Sequence, residues 1–344
     1  VTNAVRLWHK LAVENEPETH TRRAFITGIA GQDGSYLAEL LLEKKYEVHG
    51  LARPGFSLKN SWLAPLEKFT GARLFIHTGD TNDAEIFPAL VVKTRAGEVY
   101  HLAGQTHVLE SFNDPEGALE LNARATVRLL ETARKMSPPP KIFHASSSEI
   151  FGSPAQAPQD ENTPVNPQNP YACAKLFSAQ MLGVYRRHFG LFAMNGILFP
   201  HESPRRDEKF GTRQICRAAA AIKLGLQNEL RLGDLSALRD WTDARDVVHG
   251  MWLAMQHAAP EDFVFASGEL HSVQELVEVA FAAVDLDWKK FVKRDESYTR
   301  PPDSRRIIGN AAKAKRLLGW EPRRRFAELF QEMVRADLER LQAR

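Results

Sequence analysis

Tyr171 and Lys175 stand four residues apart in Tyr171-Ala172-Cys173-Ala174-Lys175, an interval that puts both side chains on one face of a helix, a turn apart. A phenol with an ordinary pKa near ~10 is a poor base at neutral pH, but a neighbouring ammonium favours its phenolate. Tyr171 could then take a proton from an alcohol. A second group, Ser146-Ser147-Ser148-Glu149, follows an apolar run and sets hydroxyls and a carboxylate where a strand would end. Each piece has a plainer use. A Tyr-to-Lys interval of four arises by chance, with the lysine stem lying along apolar surface; serine-rich turns cap helices; a glutamate beside a strand end is commonly solvated.

An upstream turn gives the two groups a common purpose. Thr27-Gly28-Ile29-Ala30-Gly31-Gln32-Asp33-Gly34 joins an apolar run to a helical pattern. Glycine permits positive φ and close backbone approach, and the free amides and dipole of a helix start attract a pyrophosphate. The GxxGxxG spacing of Gly28, Gly31 and Gly34 therefore marks a dinucleotide site, the alternative being a tight turn with no ligand. The second apolar run ends at Arg53, where an enzyme reading the ribose 2′-hydroxyl of NAD would place Asp or Glu. Arginine pairs with a 2′-phosphate, so NADP is expected, unless Arg53 is an ordinary surface charge. Asp80 could accept from the adenine amino group or cap the next helix. A positive nicotinamide would add to Lys175 in favouring the Tyr171 phenolate, and hydride would leave the carbon whose hydroxyl Tyr171 deprotonates.

Short β-branched and aromatic runs must carry these groups. They are Ala24 to Thr27, Glu47 to Ala52, Arg73 to His77, Glu98 to Ala103, Lys141 to Ala145 and Phe192 to Leu198. Helical patterns separate them, including Tyr36 to Lys45, Glu116 to Lys135 and Tyr171 to Phe189. That alternation predicts an α/β fold, a Rossmann-type doubly wound parallel sheet covered on both faces. Pro138 to Pro140 read as a loop. After about Pro200 the pattern breaks into helices (Arg213 to Leu224, Asp243 to His257, Val273 to Val284, Phe326 to Leu341) and isolated short strands, predicting a smaller, mainly C-terminal α/β substrate lobe. The expected division is an arm over 1–22, a dinucleotide-binding domain over 23–200, and a lobe over 201–344, some segments of which return to the first domain.

Composition narrows the class. Lys+Arg number 45 against 43 Asp+Glu, a formal charge of +2, which gives no electrostatic reason to expect nucleic acid or a membrane as partner. Hydrophobic residues make up 43% of the 344, enough for a substantial core. Two cysteines, Cys173 and Cys216, are too few for a disulfide framework, and the reducing cytoplasm is expected. The first twenty residues hold no apolar stretch long enough for a signal or membrane span. No metal is expected.

Taken together, the stretches TGIAGQDGSYLAELLLEKKYEVHG, LAGQTHVLESF, ASSSEIFG, NPYACAK, NGILFPHESPRR, LRDWTDARDVVHGMW, EDFVFASGELHSVQELVE and LGWEP resemble the extended short-chain dehydrogenase/reductases, and within them the GDP-mannose 4,6-dehydratase family, over nearly the whole chain from about Arg23 to Leu341. The resemblance implies conversion of GDP-mannose to GDP-4-keto-6-deoxymannose with internal recycling of NADP. It puts Ser147 at the family's catalytic threonine and Glu149 at the glutamate that removes the carbon-5 proton, with Tyr171 and Lys175 completing the catalytic set. Gln32, Asp33, Leu102, Ala103 and His201 would join the glycine turn, Arg53, Asp80, Tyr171 and Lys175 at the cofactor. Ser148, Asn195, Glu202, Arg206, Arg239, Arg300 and Asp303 would face the substrate. A homodimer or homotetramer is implied by analogy.

The chain departs from the family at Pro200, where the pattern FNHESP has asparagine, at Gln214, which replaces a substrate-side lysine, and at Pro54-Gly55, which replace an Arg-Ser run. Those changes leave another nucleotide sugar, such as a GDP-heptose, as an alternative substrate. An epimerase or reductase on the same scaffold, and a non-catalytic cofactor-binding protein, are the rival classes. Glu149 discriminates, since a simple 4-epimerase needs no carboxylate there.

Overall fold

A computed structural model describes residues 22–295 and 306–343. Strands β1 (Arg23–Thr27), β2 (Glu47–Ala52), β3 (Leu74–Thr78), β4 (Glu98–His101), β5 (Lys141–Ala145), β6 (Ala193–Leu198) and β7 (Asp262–Phe265) form one sheet in the order β7-β6-β5-β4-β1-β2-β3, parallel at every pairing. The strand order reverses between β1 and β4, so the loops after these two strands part and leave a crevice at their carboxyl ends. Strand β6 is buried at every residue, which is why it reads as a continuous apolar or neutral run rather than as alternation.

Helices cover both faces: α1 (Gln32–Glu43), α2 (Ile86–Thr94), α3 (Val108–Asn113), α4 (Pro115–Leu119), α5 (Ala125–Ala133), α6 (Pro170–Phe189), α7 (Gly211–Lys223), α8 (Ala244–Gln256), α9 (Val273–Ala282), α10 (Ala312–Leu318) and α11 (Phe326–Gln342). In α1 the buried face is Gly34, Ser35, Leu37, Ala38, Leu41 and Leu42. The leucines add about 1.5–3 kcal/mol each by burial.

Two expectations need correcting. Glu116 to Lys135 is not one regular helix: α4 and α5 are joined by a π turn, Glu120–Arg124. Asn122 causes it. Its side-chain amide donates to Ala118 O, the carbonyl its own backbone N–H would use in an α-helix, and its backbone carbonyl accepts from the hydroxyls of Thr126 and Ser178 at 2.9 and 2.7 Å. The second concerns the short strands after Pro200. Asp262–Phe265 is not isolated but pairs with β6 in register Asp262–Asn195 to Phe265–Leu198, closing the sheet edge.

Segments beyond residue 200 divide between two cores. Val247, Met251, Phe263, Phe265 and Trp320 pack with the sheet and α1. Ile215 and Ala219 of α7, Leu276 and Phe281 of α9, and Leu329, Phe330 and Met333 of α11 form a second core with Trp241. Within it Arg213 and Asp337, almost wholly buried, make an ion pair. Among the described residues no helix is long and apolar enough to cross a membrane, and no group of His, Cys, Asp and Glu could hold a metal ion.

Candidate active site

The crevice is a cavity of about 940 Å³, within the upper part of the usual range for ligand sites. Thr27, at the end of β1, fixes its floor: the hydroxyl oxygen accepts from the Leu102 and Ala103 amides, both at 3.0 Å. Gly28 has φ +71°, and a Cβ there would lie 3.0 Å from Ala103 N. A Cβ on Gly34 would lie 2.3 Å from Gly28 O. The turn is therefore built for glycine at both places. Gly31 is the N-cap of α1 and brings no side chain to satisfy the first-turn amides, which leaves that helix end to an anion. Arg53 is exposed on the cavity wall, and Asp80 lies on it as well. Asp80 does not cap α2; it accepts from Asn82 N, while Asp83 accepts from Glu85 N and Ile86 N. A glycine turn facing an open helix start, with an arginine at the end of β2, fits a phosphorylated dinucleotide.

Gln32, Asp33 and His201, expected at the cofactor, use their side chains on one another. His201 Nε2 meets Asp33 Oδ2 at 2.9 Å and its Nδ1 donates to Phe199 O. Gln32 donates to Asp33 and to His201 O and accepts from Ser203. Burial alone would raise the Asp33 carboxyl and lower the imidazole, but each partner's charge reverses this, leaving Asp33 low and His201 high. The cluster straps the 199–206 segment to the glycine turn. That brings Arg206 over the cavity, its guanidinium 3.6 Å from the Phe210 ring centre and 3.3 Å from Glu202.

Behind the residues that line the cavity, β5 ends in a 3₁₀ turn, Ser148–Phe151, capped by Ser147, whose hydroxyl oxygen accepts from Glu149 N at 3.2 Å; Ser147, Glu149, Tyr171 and Lys175 are not on the cavity wall itself. The Ser147 hydroxyl is close enough to the Tyr171 phenol to draw its pKa down. Asn169 N-caps α6, accepting from Ala172 N at 2.8 Å, and its amide donates to Glu149 Oε2 at 3.0 Å. Pro170 at the first helical position completes the start. Burial pushes Tyr171 up to about 12; the Ser147 hydroxyl and the Arg206 charge oppose this, and the Glu149 charge adds to it. Lys175 is pushed down to about 8 by burial, and its Nζ donates to Ala145 O at 2.8 Å, 5.8 Å from the centre of the Tyr171 ring. The ammonium thus lies beside the phenol ring while its hydrogen bond goes to a backbone carbonyl.

The four catalytic candidates come together; the substrate candidates do so only in part. Arg206 faces the cavity. Ser148 and Glu202 are buried, and Glu202 accepts from Thr212. Asn195 is 1% exposed inside the sheet, in register with His144, and is not on the cavity wall. Arg239 donates to Leu238 O on a short strand, Leu238–Arg239, away from that wall. Arg300 and Asp303 lie outside the described residues. Thr27 and Asn169 were not singled out from sequence. The Asn-Pro pair ahead of Tyr171 is the signal for Asn169, since Asn at N-cap with Pro following is a helix start.

The family model described as GDP-mannose 4,6 dehydratase matches residues 25–333. GDP-mannose 4,6 dehydratase 1 of Arabidopsis thaliana is 44% identical over 324 residues, 92% of this chain and 90% of the relative. GDP-mannose 4,6 dehydratase of Homo sapiens is 41% identical, covering 92% and 91%. Among solved structures, that of RMD from Pseudomonas aeruginosa complexed with NADPH superimposes with a TM-score of 0.77 at 25% identity, covering 93% of this chain and 100% of that one.

Proposed function

The chain belongs to the GDP-mannose 4,6-dehydratase family, and on that premise we propose that it is a lyase converting GDP-mannose to GDP-4-keto-6-deoxymannose with NADP held throughout. The observation that carries this reading is the Glu149 carboxylate placed beside the Ser147–Tyr171 pair. The glycine turn and first-turn amides of α1 would hold the pyrophosphate, Arg53 the 2′-phosphate, and Lys175 the ribose beside the nicotinamide. NADPH in a 25% identical structure supports the choice of cofactor. When bound, the nicotinamide supplies one chemical service: it accepts hydride from carbon 4 and returns it at carbon 6.

Tyr171 would act as phenolate, the form that Ser147 and the Arg206 charge favour against burial, and take the proton of the 4-hydroxyl while Ser147 hydrogen-bonds the reacting oxygen. The ketone then acidifies carbon 5, and Glu149 removes that proton. This proton and the carbon-6 hydroxyl leave together as water. Carbon 5 regains a proton at the end, and Tyr171 holds one. Arg206 lies where a diphosphate or sugar oxygen would need a cation, and Arg239 and Arg300 are the candidates for the nucleotide end.

Incubation with GDP-mannose and sub-stoichiometric NADP, followed by mass measurement, tests the reading. Loss of one water per sugar without consumption of reductant is expected. An unchanged mass, as an epimerase would give, or a gain of two hydrogens would overturn it.

Two further assignments belong to the same reading. Leu109, Phe112, Leu119 and Phe177 are each 44–58% exposed on neighbouring helices, which suits contact between copies of the chain. A sedimentation mass of a dimer or tetramer is expected. Both cysteines are free among the described residues, which suits a reducing cytoplasm.

A further inference from the structure

We infer that Asn169 is the positioning residue for the base: one amide group caps the helix that carries Tyr171 and, through its other atom, holds the Glu149 carboxylate in place. The inference rests on the reading of Glu149 as the carbon-5 base. Asn169 is 7% exposed and has both ends of its amide engaged. Oδ1 accepts from Ala172 N at 2.8 Å, so the backbone of α6 fixes which way the amide points. Nδ2 must then face the carboxylate, and it does so at 3.0 Å from Oε2.

Two consequences follow from the chemistry. An N–H donor stabilises the ionised carboxylate, the form a base needs. Because the same side chain is tied to the first turn of α6, the distance between base and phenol is set by one rigid planar group rather than by two independent rotamers. Among the described residues, the charged groups acting on Tyr171 besides Glu149 are Arg206 and Asp33, with Lys175 5.8 Å from the centre of the phenol ring. The Ser147 hydroxyl oxygen accepts from the Glu149 backbone amide at the start of the 3₁₀ turn.

Two substitutions separate this role from capping, because both keep an N-cap acceptor. Asn169→Ser removes the donor, and Asn169→Asp replaces it with a second carboxylate. With NADP-loaded enzyme and GDP-mannose, Asn169→Ser is expected to lower kcat about tenfold with KM little changed, the loss of one hydrogen bond to a charged group. Asn169→Asp is expected to shift the acidic limb of the kcat profile upward by about one pH unit or more, since adjacent carboxylates resist double ionisation. Thermal midpoints should stay near that of the parent. A kcat profile of Asn169→Asp superimposing on the parent's, with Glu149→Gln inactive, would overturn the inference and leave the base role standing. Full activity in Glu149→Gln would instead remove the base role, and this inference with it. Should Asn169→Asp fold poorly, the kcat-against-KM split of Asn169→Ser decides alone: a change confined to KM would overturn the inference.

Discussion

Two regions of the molecule handle charge in opposite ways, the group around Tyr171 and the arginines of the crevice. On the catalytic side, Lys175 is held by a neutral carbonyl and Glu149 receives a neutral amide, and burial moves the acid–base groups: Tyr171 up to about 12, Lys175 down to about 8. On the side of the smaller lobe, arginines at or near the cavity are matched by carboxylates: Arg205 by Glu39, Arg206 by Glu202, Arg213 by Asp337 and Arg245 by Asp243 and Glu332. Desolvation brings Lys175 toward neutrality and holds Tyr171 as the neutral phenol, so both groups favour their uncharged forms until an opposite charge comes near. Fixing the shape of a cleft between two cores needs charges that never change, which pairing arranges.

The sharpest way to break this contrast is Tyr171→Phe. It removes one hydroxyl from the catalytic side, and kcat should fall by roughly 10²–10⁴-fold, as for loss of a general acid–base group, while cofactor affinity measured by fluorescence titration is retained. Near-parental turnover would mean that the phenol does not move the proton. Asp337→Ala attacks the other side. Leaving Arg213 buried without its partner should cost about 3–5 kcal/mol of stability in denaturant titration, with little effect on pH dependence of turnover in the folded fraction. A loss below about 1 kcal/mol would show that the pair is not what holds the second core.

Lys175→Met sharpens the desolvation argument. Because the folded-state pKa of about 8 lies below the ordinary 10.5, the unfolded chain binds more protons between these values, and parental stability rises with pH across that window. The methionine variant lacks this dependence. Its advantage over the parent, on the order of 3 kcal/mol at most, should be largest below pH 8 and shrink toward pH 10. Tyr171, raised above its ordinary value, gives the opposite slope only above pH 10, so the comparison is clean below it. Parallel melting curves for parent and variant from pH 7 to 10 would contradict burial as the cause. The smallest effect is expected at Arg53, exposed at the rim of the crevice. Arg53→Glu should weaken NADP by about 10–100-fold and leave NAD nearly unchanged in equilibrium binding. Equal changes for both cofactors would mean that Arg53 does not read the 2′-phosphate.

Sequence made the catalytic side legible and the other side largely not. Ser147, Glu149, Tyr171 and Lys175 sit within a few residues of strand or helix ends, so local pattern and the rule that ligands gather at carboxyl ends of parallel strands place them together. The other six strands were readable for the same reason, as compact runs between helices. Asp262–Phe265 was not, because a four-residue run says nothing about a partner strand more than sixty residues earlier. Arg213 and Asp337 are separated by 124 positions, and no periodicity links them. Asp33 and His201 illustrate the intermediate case: their proximity to the cofactor turn was legible, but their bond to each other depends on how the 199–206 segment folds back.

The return of β7 to the main sheet limits how the protein can be re-engineered. Helix α8, strand β7 and helix α10 share the core beneath the sheet although flanked in sequence by pieces of the other core. A chimaera exchanging everything after Pro200 for a relative's sequence would therefore replace a sheet edge along with the recognition surface. Grafts restricted to 201–243, 267–306 and 321–343 would exchange the segments of the second core while leaving the edge strand native, and the crossover points should fall at those joints.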